Sequence, residues 1–421
     1  MRILFILLFS ILISCKTIKS STSENLGPNQ IDSLFQTSNE NQFGSQMGDS
    51  LTNKLIEIQK QEKIFGFSVA LVDENGLIYE NGFGFSDYKN GIKYTPQTIQ
   101  PIGSISKILI GISLLMAQEW GLLDLDDPVN RYLPFEGTNP FYPDIPITIR
   151  HLATHTSGIN DVEYQSKNYI LQNIADTSRT ELPFQPPNTN MSIQDFTRKS
   201  LDKNGEWYSE ASFLQKKPGE FYKYSGVAST LAAVIIELVT EMPYSTFTTE
   251  YILNPLEMSS AGWFFEDVNL DQYSELYTSS GKPFPMYNYI NYPTGRLIVS
   301  VNDLGKLLSE LIKGYSGKGI LLRKASYEEL FGEAPENFYD GSGNSAFIKM
   351  DLTKGIFMGR TEHGFFGHTG AAPGVIAFMF FNMDSNIGRI LILNTRIEPE
   401  DIQVIWNIWD LLDKYEEILA G

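Results

Sequence analysis

Cysteine is almost absent from this sequence, since Cys15 is the only one in 421 residues. A single thiol excludes an internal disulfide and a metal site built from several cysteines. Histidine is scarce as well, with four residues in the whole chain. We therefore expect neither a disulfide framework nor a metal or other cofactor.

Basic residues are also few compared with acidic ones. The chain carries 32 lysines and arginines against 50 aspartates and glutamates, which gives a formal net charge of −18 at pH 7. Nucleic acids and anionic membranes are bound through basic surfaces, so this balance argues against a nucleic-acid partner and against a basic membrane-binding patch. Any membrane contact is expected to come through an anchor.

The one cysteine ends an apolar N-terminal segment. Arg2 precedes a run from Ile3 to Ile13 that is too short to span a bilayer and is typical of a signal peptide. The last four residues, Leu12-Ile13-Ser14-Cys15, resemble the lipobox of bacterial lipoproteins, in which the cysteine is lipidated. We expect a signal peptide over residues 1–14 and a lipid-anchored, periplasm-facing protein of the bacterial cell envelope. An ordinary secretory signal with an incidental cysteine is the alternative.

The composition divides the rest of the chain into two parts. Residues 15–50 are rich in Ser, Thr, Asn and Gln, which predicts a flexible tether. Residues 51–421 are long enough for one large domain with two lobes. Within this domain, residues 160–215 are polar and proline-containing, which predicts an insertion or a functional flap.

Apolar periodicity predicts strands near both ends of residues 51–421 and helices between them. The runs FSVALVD and LIYENG, joined at Glu74-Asn75-Gly76, predict a hairpin. A second pair of strands is predicted at Val375–Phe381 and Arg389–Leu393, and helices at 51–63, 302–313 and 401–419. Strands from distant segments indicate one antiparallel sheet that is covered by helices.

The stretch from Pro101 to Trp120 is apolar on most sides, which predicts a buried helix. Ser104 and Lys107 lie three residues apart at its start, so they share one face. Burial lowers the pKa of a lysine, and a neutral amine can take the proton of a neighbouring hydroxyl. The other three S-x-x-K copies lie in loop-like segments. The alternative is that Ser104 caps the helix and Lys107 extends to solvent.

Three later motifs follow GSISK (103–107) in a recognisable order: HLATHTSGI (151–159), PGEFYKYSG (218–226) and GHTGAAPG (367–374). This order resembles that of serine β-lactamase-like enzymes, a family with class C β-lactamases, penicillin-binding proteins, D-aminopeptidases and esterases. The resemblance covers roughly residues 51–420. It implies an α+β fold of the β-lactamase/transpeptidase type, with an antiparallel sheet flanked by helices and a mainly helical lobe.

The resemblance also implies roles for individual residues. Ser104 would be the acylated nucleophile and Lys107 its base or proton relay. Tyr224 would pass the proton to the leaving group, with a pKa that the nearby lysine lowers. His368, Thr369 and Gly370 match the K-T-G motif, and the backbone N–H groups of Ser104 and Ala371 would form the oxyanion hole.

Two positions depart from the family pattern. Gly226 stands where the asparagine of Y-x-N is expected, and His368, which is mostly neutral at pH 7, replaces the lysine of K-T-G. Both changes remove groups that would bind a carboxylate-bearing substrate. We therefore expect a serine hydrolase that cleaves a small-molecule or peptide substrate, with esters preferred. The alternatives are a D-aminopeptidase, DD-carboxypeptidase or β-lactamase, and a non-catalytic binding protein of the same fold.

Two rival sites are weaker. His151 and His155 have the i, i+4 spacing of zinc ligands, but the glutamate of H-E-x-x-H and a nearby third ligand are missing. A Ser-His-Asp triad could use His368, yet the chain has no G-x-S-x-G elbow. We expect HLATHTSG to support the wall of the active site instead.

Overall fold

The structure is a computed structural model that describes residues 46–60, 64–162, 168–173, 182, 184–332, 355–361 and 364–420. The predicted signal peptide, Cys15 and most of the predicted tether lie outside these residues. The tether prediction is wrong for residues 46–50, which are helical. Their side chains have tertiary partners: Met47 packs on the core, and the Ser50 and Tyr415 hydroxyls lie 2.9 Å apart.

Among the described residues the main sheet has seven strands, and strands from the two ends of the domain pair at its centre. The strands are β1 Gly66–Asp73, β2 Gly76–Asp87, β3 Ile92–Lys93, β8 Gly359–Arg360, β9 Phe365–Ala372, β10 Val375–Asn382 and β11 Gly388–Leu393. Their order across the sheet is β3-β2-β1-β11-β10-β9-β8, and all pairs are antiparallel. Four short strands lie between them in sequence: β4 Ile99–Pro101, β5 Tyr169–Leu171, β6 Tyr287–Tyr289 and β7 Ile298–Ser300. They form two small sheets, β4–β7 and β5–β6.

The hairpin between β1 and β2 follows from its turn residues. The Asp73 carboxylate accepts hydrogen bonds from the N–H groups of Asn75 at 2.7 Å and Gly76 at 3.0 Å. Gly76 adopts a φ of 127°, which suits glycine. The prediction of a single antiparallel sheet from distant segments is confirmed, because Val69 of β1 pairs with Leu391 of β11.

Helices cover both faces of the main sheet. The described helices are α1 over residues 46–60, α2 Lys107–Glu119, α3 Ile149–Ala153, α4 Ile193–Leu201, α5 Gly226–Thr240, α6 Tyr244–Thr248, α7 Val301–Tyr315, α8 Lys324–Phe331 and α9 Gln403–Ala420. One face of β1 packs in a cluster with α1 and α9, through residues such as Leu55, Val69 and Leu412. The other face packs with α7, through residues such as Val72 and Leu308.

Helices α2 and α5 form the centre of the helical lobe. Eleven residues of α2, from Lys107 to Ala117, are buried, which confirms the predicted buried helix. The helix itself begins at Lys107, however, and Ser104 lies in a preceding 3₁₀ turn, Gly103–Ser106. Gly103 has a φ of 57°, which breaks the α-helical path before Ser104.

The predicted insertion, residues 160–215, carries regular structure in its described parts. Strand β5 pairs with β6, with Tyr169 opposite Tyr289. Helix α4 begins after Ser192, whose side chain accepts a hydrogen bond from the Asp195 N–H. Most of the described insertion is therefore docked on the helical lobe and on β6.

Within the described part of the chain, no single helix has the length and apolar character that a membrane span requires. Two helices meet that requirement only when they are combined, and the pair is bent by 82°: Gly226–Thr240 and Tyr244–Leu253.

Candidate active site

Ser104 and Lys107 are joined by a hydrogen bond. The Lys107 ammonium, Nζ, lies 2.9 Å from Ser104 Oγ and donates a second hydrogen bond of 2.7 Å to the Thr294 carbonyl. Lys107 is 2 % exposed, so the alternative in which it extends to solvent is wrong. The 3₁₀ turn brings the two side chains together, because residues three apart are eclipsed in that geometry. Thr294 was not anticipated from the sequence, since its partner is 187 residues away.

The environment of Lys107 favours its neutral form. Burial lowers its pKa to about 7, and the carboxylate of Asp161 opposes this shift. A buried cation loses its hydration, which is why the amine releases its proton more readily than in water. Near neutral pH a large fraction of Lys107 can therefore accept the proton of Ser104.

Tyr224 lies beside this pair. The Lys107 ammonium is 5.1 Å from the centre of the Tyr224 ring, which also packs on His155 at 4.4 Å between ring centres. Burial raises the pKa of Tyr224, and the nearby Ser104 hydroxyl opposes the rise only in part. The prediction of a lowered tyrosine pKa is therefore wrong, because desolvation of the phenolate dominates and the Asp161 charge adds to the rise.

The Tyr224 hydroxyl is buried and has no hydrogen-bond partner of normal geometry among the described residues. A phenol that keeps its proton is a hydrogen-bond donor. Because Ser104 is close enough to affect its pKa, the hydroxyl lies where a group bound at Ser104 would meet it. Tyr224 is thus placed to give a proton to such a group.

The four residues that match K-T-G and its successor lie on β9. His368 is 4 % exposed, and burial lowers its pKa to about 4, with a further contribution from the Lys107 charge. Its Nδ1 atom contacts the Thr369 carbonyl. His368 is therefore neutral at physiological pH, which agrees with the expected loss of a fixed positive charge at this position.

The 3₁₀ turn Gly103–Ser106, which carries Ser104, lies close to strand β9. A Cβ atom on Gly103 would lie 2.5 Å from the Ala371 backbone nitrogen, and one on Gly370 would lie 1.8 Å from the Ile102 carbonyl oxygen. Among the described residues, β8 pairs with β9 only at Phe366 and Gly367, so the following residues of β9 lie at an edge of the sheet as described. The Ala371 nitrogen consequently borders the turn that carries Ser104, as the oxyanion assignment requires.

Asp161 was not identified from the sequence, yet it fills the space beside Gly226. Its carboxylate accepts hydrogen bonds from the Gly226 N–H at 2.6 Å, the Val227 N–H at 3.1 Å and the Ser225 hydroxyl at 2.6 Å. Burial raises its pKa, and these donors counteract the rise. A carboxylate at the start of α5 thus stands near the position where the family has an asparagine. Its position two residues after the end of HLATHTSGI was the only available signal.

The two remaining histidines have structural partners. His151 accepts a hydrogen bond of 3.1 Å from the Thr148 N–H within a capping box at the start of α3. His155 accepts one of 3.3 Å from the Ser225 N–H, directly beside Tyr224. Throughout the described ranges, no group of three or more His, Cys, Asp or Glu residues could hold a metal ion.

Comparison with known proteins gives a consistent assignment. The family model described as Beta-lactamase matches residues 51–413. Protein flp of Staphylococcus aureus (strain N315) is 25% identical over 355 residues, which cover 82% of this chain and 63% of that protein. Teichoic acid D-alanine hydrolase of Staphylococcus aureus is 26% identical over 263 residues, covering 61% of this chain and 57% of that protein.

A solved structure shows the same fold. The octameric penicillin-binding protein homologue from Pyrococcus abyssi superposes with a TM-score of 0.68 at 23% identity, covering 87% of this chain and 77% of that one. At this identity the likeness concerns the fold. The chain spans less than two thirds of the length of the curated relatives above, 63% and 57%.

Proposed function

We propose, from the premise that this chain belongs to the beta-lactamase family, that it is a serine hydrolase that acts through an acyl-enzyme on Ser104. The observation that carries this proposal is the 2.9 Å contact between Lys107 Nζ and Ser104 Oγ at a lysine with a pKa of about 7. A base in hydrogen-bond contact with a hydroxyl, and half neutral at pH 7, is what serine activation requires.

Acylation begins with neutral Lys107. The amine takes the Ser104 proton as Oγ forms a bond to the carbonyl carbon of the substrate. The oxyanion that results is bound by the backbone N–H groups of Ser104 and Ala371. When the carbon–oxygen or carbon–nitrogen bond breaks, the Tyr224 hydroxyl protonates the leaving group, and the Lys107 ammonium returns a proton to Tyr224. Lys107 is neutral again at the end of this half-reaction.

Deacylation uses the same groups with water. Lys107 takes a proton from a water molecule, whose oxygen bonds to the acyl carbon. The Ser104–acyl bond then breaks, and Oγ regains a proton from the Lys107 ammonium. The products are a carboxylic acid and the free serine. Tyr224, a phenol whose pKa is raised, stays protonated and contributes a hydrogen bond rather than a base.

The charges around Ser104 favour substrates without a carboxylate. His368 is neutral, Gly226 has no side chain to hold an amide, and the Asp161 carboxylate lies near Lys107. The missing charge-assisted hydrogen bond at position 368 costs about 1.5–3 kcal/mol, the missing neutral one at position 226 costs about 0.5–1.5 kcal/mol, and about 1.4 kcal/mol is a factor of ten. An uncharged ester needs neither group and has a better leaving group than an amide. Esters are therefore the preferred substrates.

A second candidate is hydrolysis of D-aminoacyl esters or amides. The Asp161 carboxylate, whose charge acts on Lys107 and Tyr224, would attract the free ammonium group that such substrates carry. One relative of this chain is named a teichoic acid D-alanine hydrolase. The relatives also support a site of action in the cell envelope, to which the predicted lipid on Cys15 would hold the protein.

The test begins with a fluorophosphonate probe and mass spectrometry of the labelled peptide. Labelling at Ser104 is expected, and Ser104→Ala should remove it. Ser200→Ala, which alters another S-x-x-K copy on α4, is the control and should label normally. Turnover of p-nitrophenyl acetate, D-alanine p-nitroanilide and nitrocefin then separates the substrate classes. A protein that is neither labelled nor active on the panel would be a non-catalytic binding protein instead.

A further inference from the structure

A cavity of about 500 Å³ opens at the end of β9, beyond Ala371. Its lining includes Ala371 itself, whose backbone nitrogen borders the turn that carries Ser104. Most of its other walls are apolar, among them Tyr169, Phe184, Pro373 and Val375. Cavities of about 300–1,000 Å³ with such walls are typical of small-molecule sites.

The insertion supplies two of these walls and is fixed in place by strand pairing. Tyr169 lies on β5, which pairs with β6. From β6, the Tyr287 hydroxyl donates a hydrogen bond of 2.7 Å to the Pro373 carbonyl, in the turn after β9. The Tyr287 ring packs against Tyr169 at 5.6 Å and Phe184 at 5.2 Å between centres. The insertion is thereby connected to the strand that carries Ala371.

The charged groups at the cavity compensate each other. Arg396 and Glu398 are the charged residues in the described lining, and they form an ion pair of 3.2 Å. The Ser279 hydroxyl donates a further hydrogen bond of 2.8 Å to Glu398. With its charges paired, the cavity offers no free counter-ion for a charged ligand group and favours an uncharged apolar one.

The position of the cavity decides which half of the substrate enters it. The leaving group must lie next to Tyr224, which protonates it, and Tyr224 lies beside His368 with ring centres 6.3 Å apart. His368 precedes Ala371 on β9, whereas the cavity follows Ala371. Because a strand advances about 3.3 Å per residue, the leaving group and the cavity lie on opposite sides of the oxyanion.

We propose that this cavity is the acyl-binding subsite and that it takes an uncharged apolar acyl chain of medium length, such as hexanoyl. The assignment rests on the proposed serine hydrolase function and specifies its substrate class. The insertion is then a specificity element, because Tyr169 and Phe184 form the wall against which the acyl chain packs.

The experiment compares kcat/KM for p-nitrophenyl hexanoate and p-nitrophenyl acetate. The unmodified protein should prefer hexanoate by about tenfold or more, since each methylene in an apolar pocket adds discrimination. Phe184→Ala should reduce this ratio about fivefold by removing part of the wall. Ala372→Leu should reduce it as well, by filling the cavity from β9. Phe135→Ala, which alters a partly buried phenylalanine away from the cavity, is the matched control and should keep the ratio.

Two failures can be told apart. Equal kcat/KM for both esters in the unmodified protein, with a ratio that neither Phe184→Ala nor Ala372→Leu changes, would overturn the subsite while leaving the hydrolase intact. Absence of turnover with every ester, together with absence of fluorophosphonate labelling at Ser104, would overturn the proposed function and the subsite with it. Circular dichroism and thermal unfolding show whether Phe184→Ala and Ala372→Leu are folded. If one of them is unfolded, the ratio measured with the other variant tests the subsite.

Discussion

Gly103 and Gly370 pack backbone against backbone where the 3₁₀ turn Gly103–Ser106 meets β9. A Cβ atom on Gly370 would stand 1.8 Å from the Ile102 carbonyl oxygen, and one on Gly103 would stand 3.0 Å from the Gly370 Cα atom. Real Cβ atoms do not approach other atoms at the first of these distances. The absence of both side chains is therefore what allows the Ser104 turn and the Ala371 nitrogen to border one oxyanion position.

Gly370→Ala should separate the turn from the strand. We expect a loss of about 1–3 kcal/mol in the free energy of unfolding, which is typical of overpacking, and a larger proportional loss of esterase activity. Urea unfolding and kcat/KM for p-nitrophenyl acetate measure the two effects. Gly48→Ala on α1 is the control, since its Cβ atom would come no closer than 3.9 Å to Tyr79. That variant should be stabilised by about 0.5–1 kcal/mol. Full activity of Gly370→Ala would contradict the shared oxyanion position.

The parts of the site that could be predicted from sequence are those that depend on short separations. Ser104 and Lys107 are three residues apart, so their contact follows from local geometry. The capping box at the start of α3 is local as well, because Thr148 and His151 are also three residues apart. The hairpin of β1 and β2 was likewise predictable from its Asn75-Gly76 turn.

The parts that could not be predicted depend on contacts between distant segments. Asp161 reaches Gly226 across 65 residues, and Thr294 reaches Lys107 across 187. The direction of the Tyr224 pKa shift depends on how completely α5 and β9 enclose the ring, which no local pattern reports. The strand β5 in the insertion was missed because its partner, β6, lies more than 100 residues later in the chain.

Activity should depend on pH through Lys107. Because the proposed base is the neutral amine and its pKa is about 7, kcat/KM should rise as the pH increases through about 7. His155 and His368 are buried with lowered pKa values, so they are neutral on both sides of this limb. Asp161 raises the pKa of Lys107, so Asp161→Asn should move the rising part of the pH–rate profile to lower pH. A pH–rate profile between pH 5 and 9 measures the shift.

The control for the Asp161 prediction is Ser225→Ala. Ser225 caps α5 and donates to Asp161, so its removal weakens the same helix start without changing a charge. Stability should decrease by about 1 kcal/mol, while the pH limb stays in place. An equal displacement of the limb in both variants would show that Asp161 acts on the backbone of α5 rather than on the charge of Lys107.

The three groups of the proposed catalytic site should act as a unit. Ser104→Ala and Lys107→Ala should each lower turnover by orders of magnitude, and Tyr224→Phe by about 10²–10⁴-fold as the loss of a proton donor. Their effects should not add, so the triple variant should be little slower than Ser104→Ala. Steady-state kinetics with one ester substrate measures all four proteins. Unchanged turnover of Ser104→Ala would place the chemistry on another residue.

The anchor prediction depends on Cys15. Lipidation adds about 0.8 kcal/mol of membrane affinity per buried CH₂, and two or more chains hold a protein stably. Cys15→Ala should therefore move the protein from the membrane fraction to the soluble fraction of the cell envelope. Cell fractionation and intact mass measure this change. A variant that stays in the membrane fraction with an unchanged mass would disprove lipidation at this residue.

Substrate choice should respond to charge at position 368. Nitrocefin carries a carboxylate, which the neutral His368 cannot pair with and which the nearby Asp161 repels. We expect very slow nitrocefin turnover and measurable hydrolysis of short p-nitrophenyl esters. The double change His368→Lys with Gly226→Asn restores a cation and an amide, and should shift the ratio of kcat/KM toward nitrocefin by on the order of a hundredfold, since one charge-assisted and one neutral hydrogen bond are gained. His368→Gln with Gly226→Asn is the control, because it supplies the amide without the charge and should give a smaller shift.

The cation added in His368→Lys also lowers the pKa of Lys107 further, so both substrates are compared at a pH above 8, where the base is neutral in every variant. Efficient nitrocefin hydrolysis by the unmodified protein, without esterase activity, would show that the carboxylate is bound by a group other than residue 368.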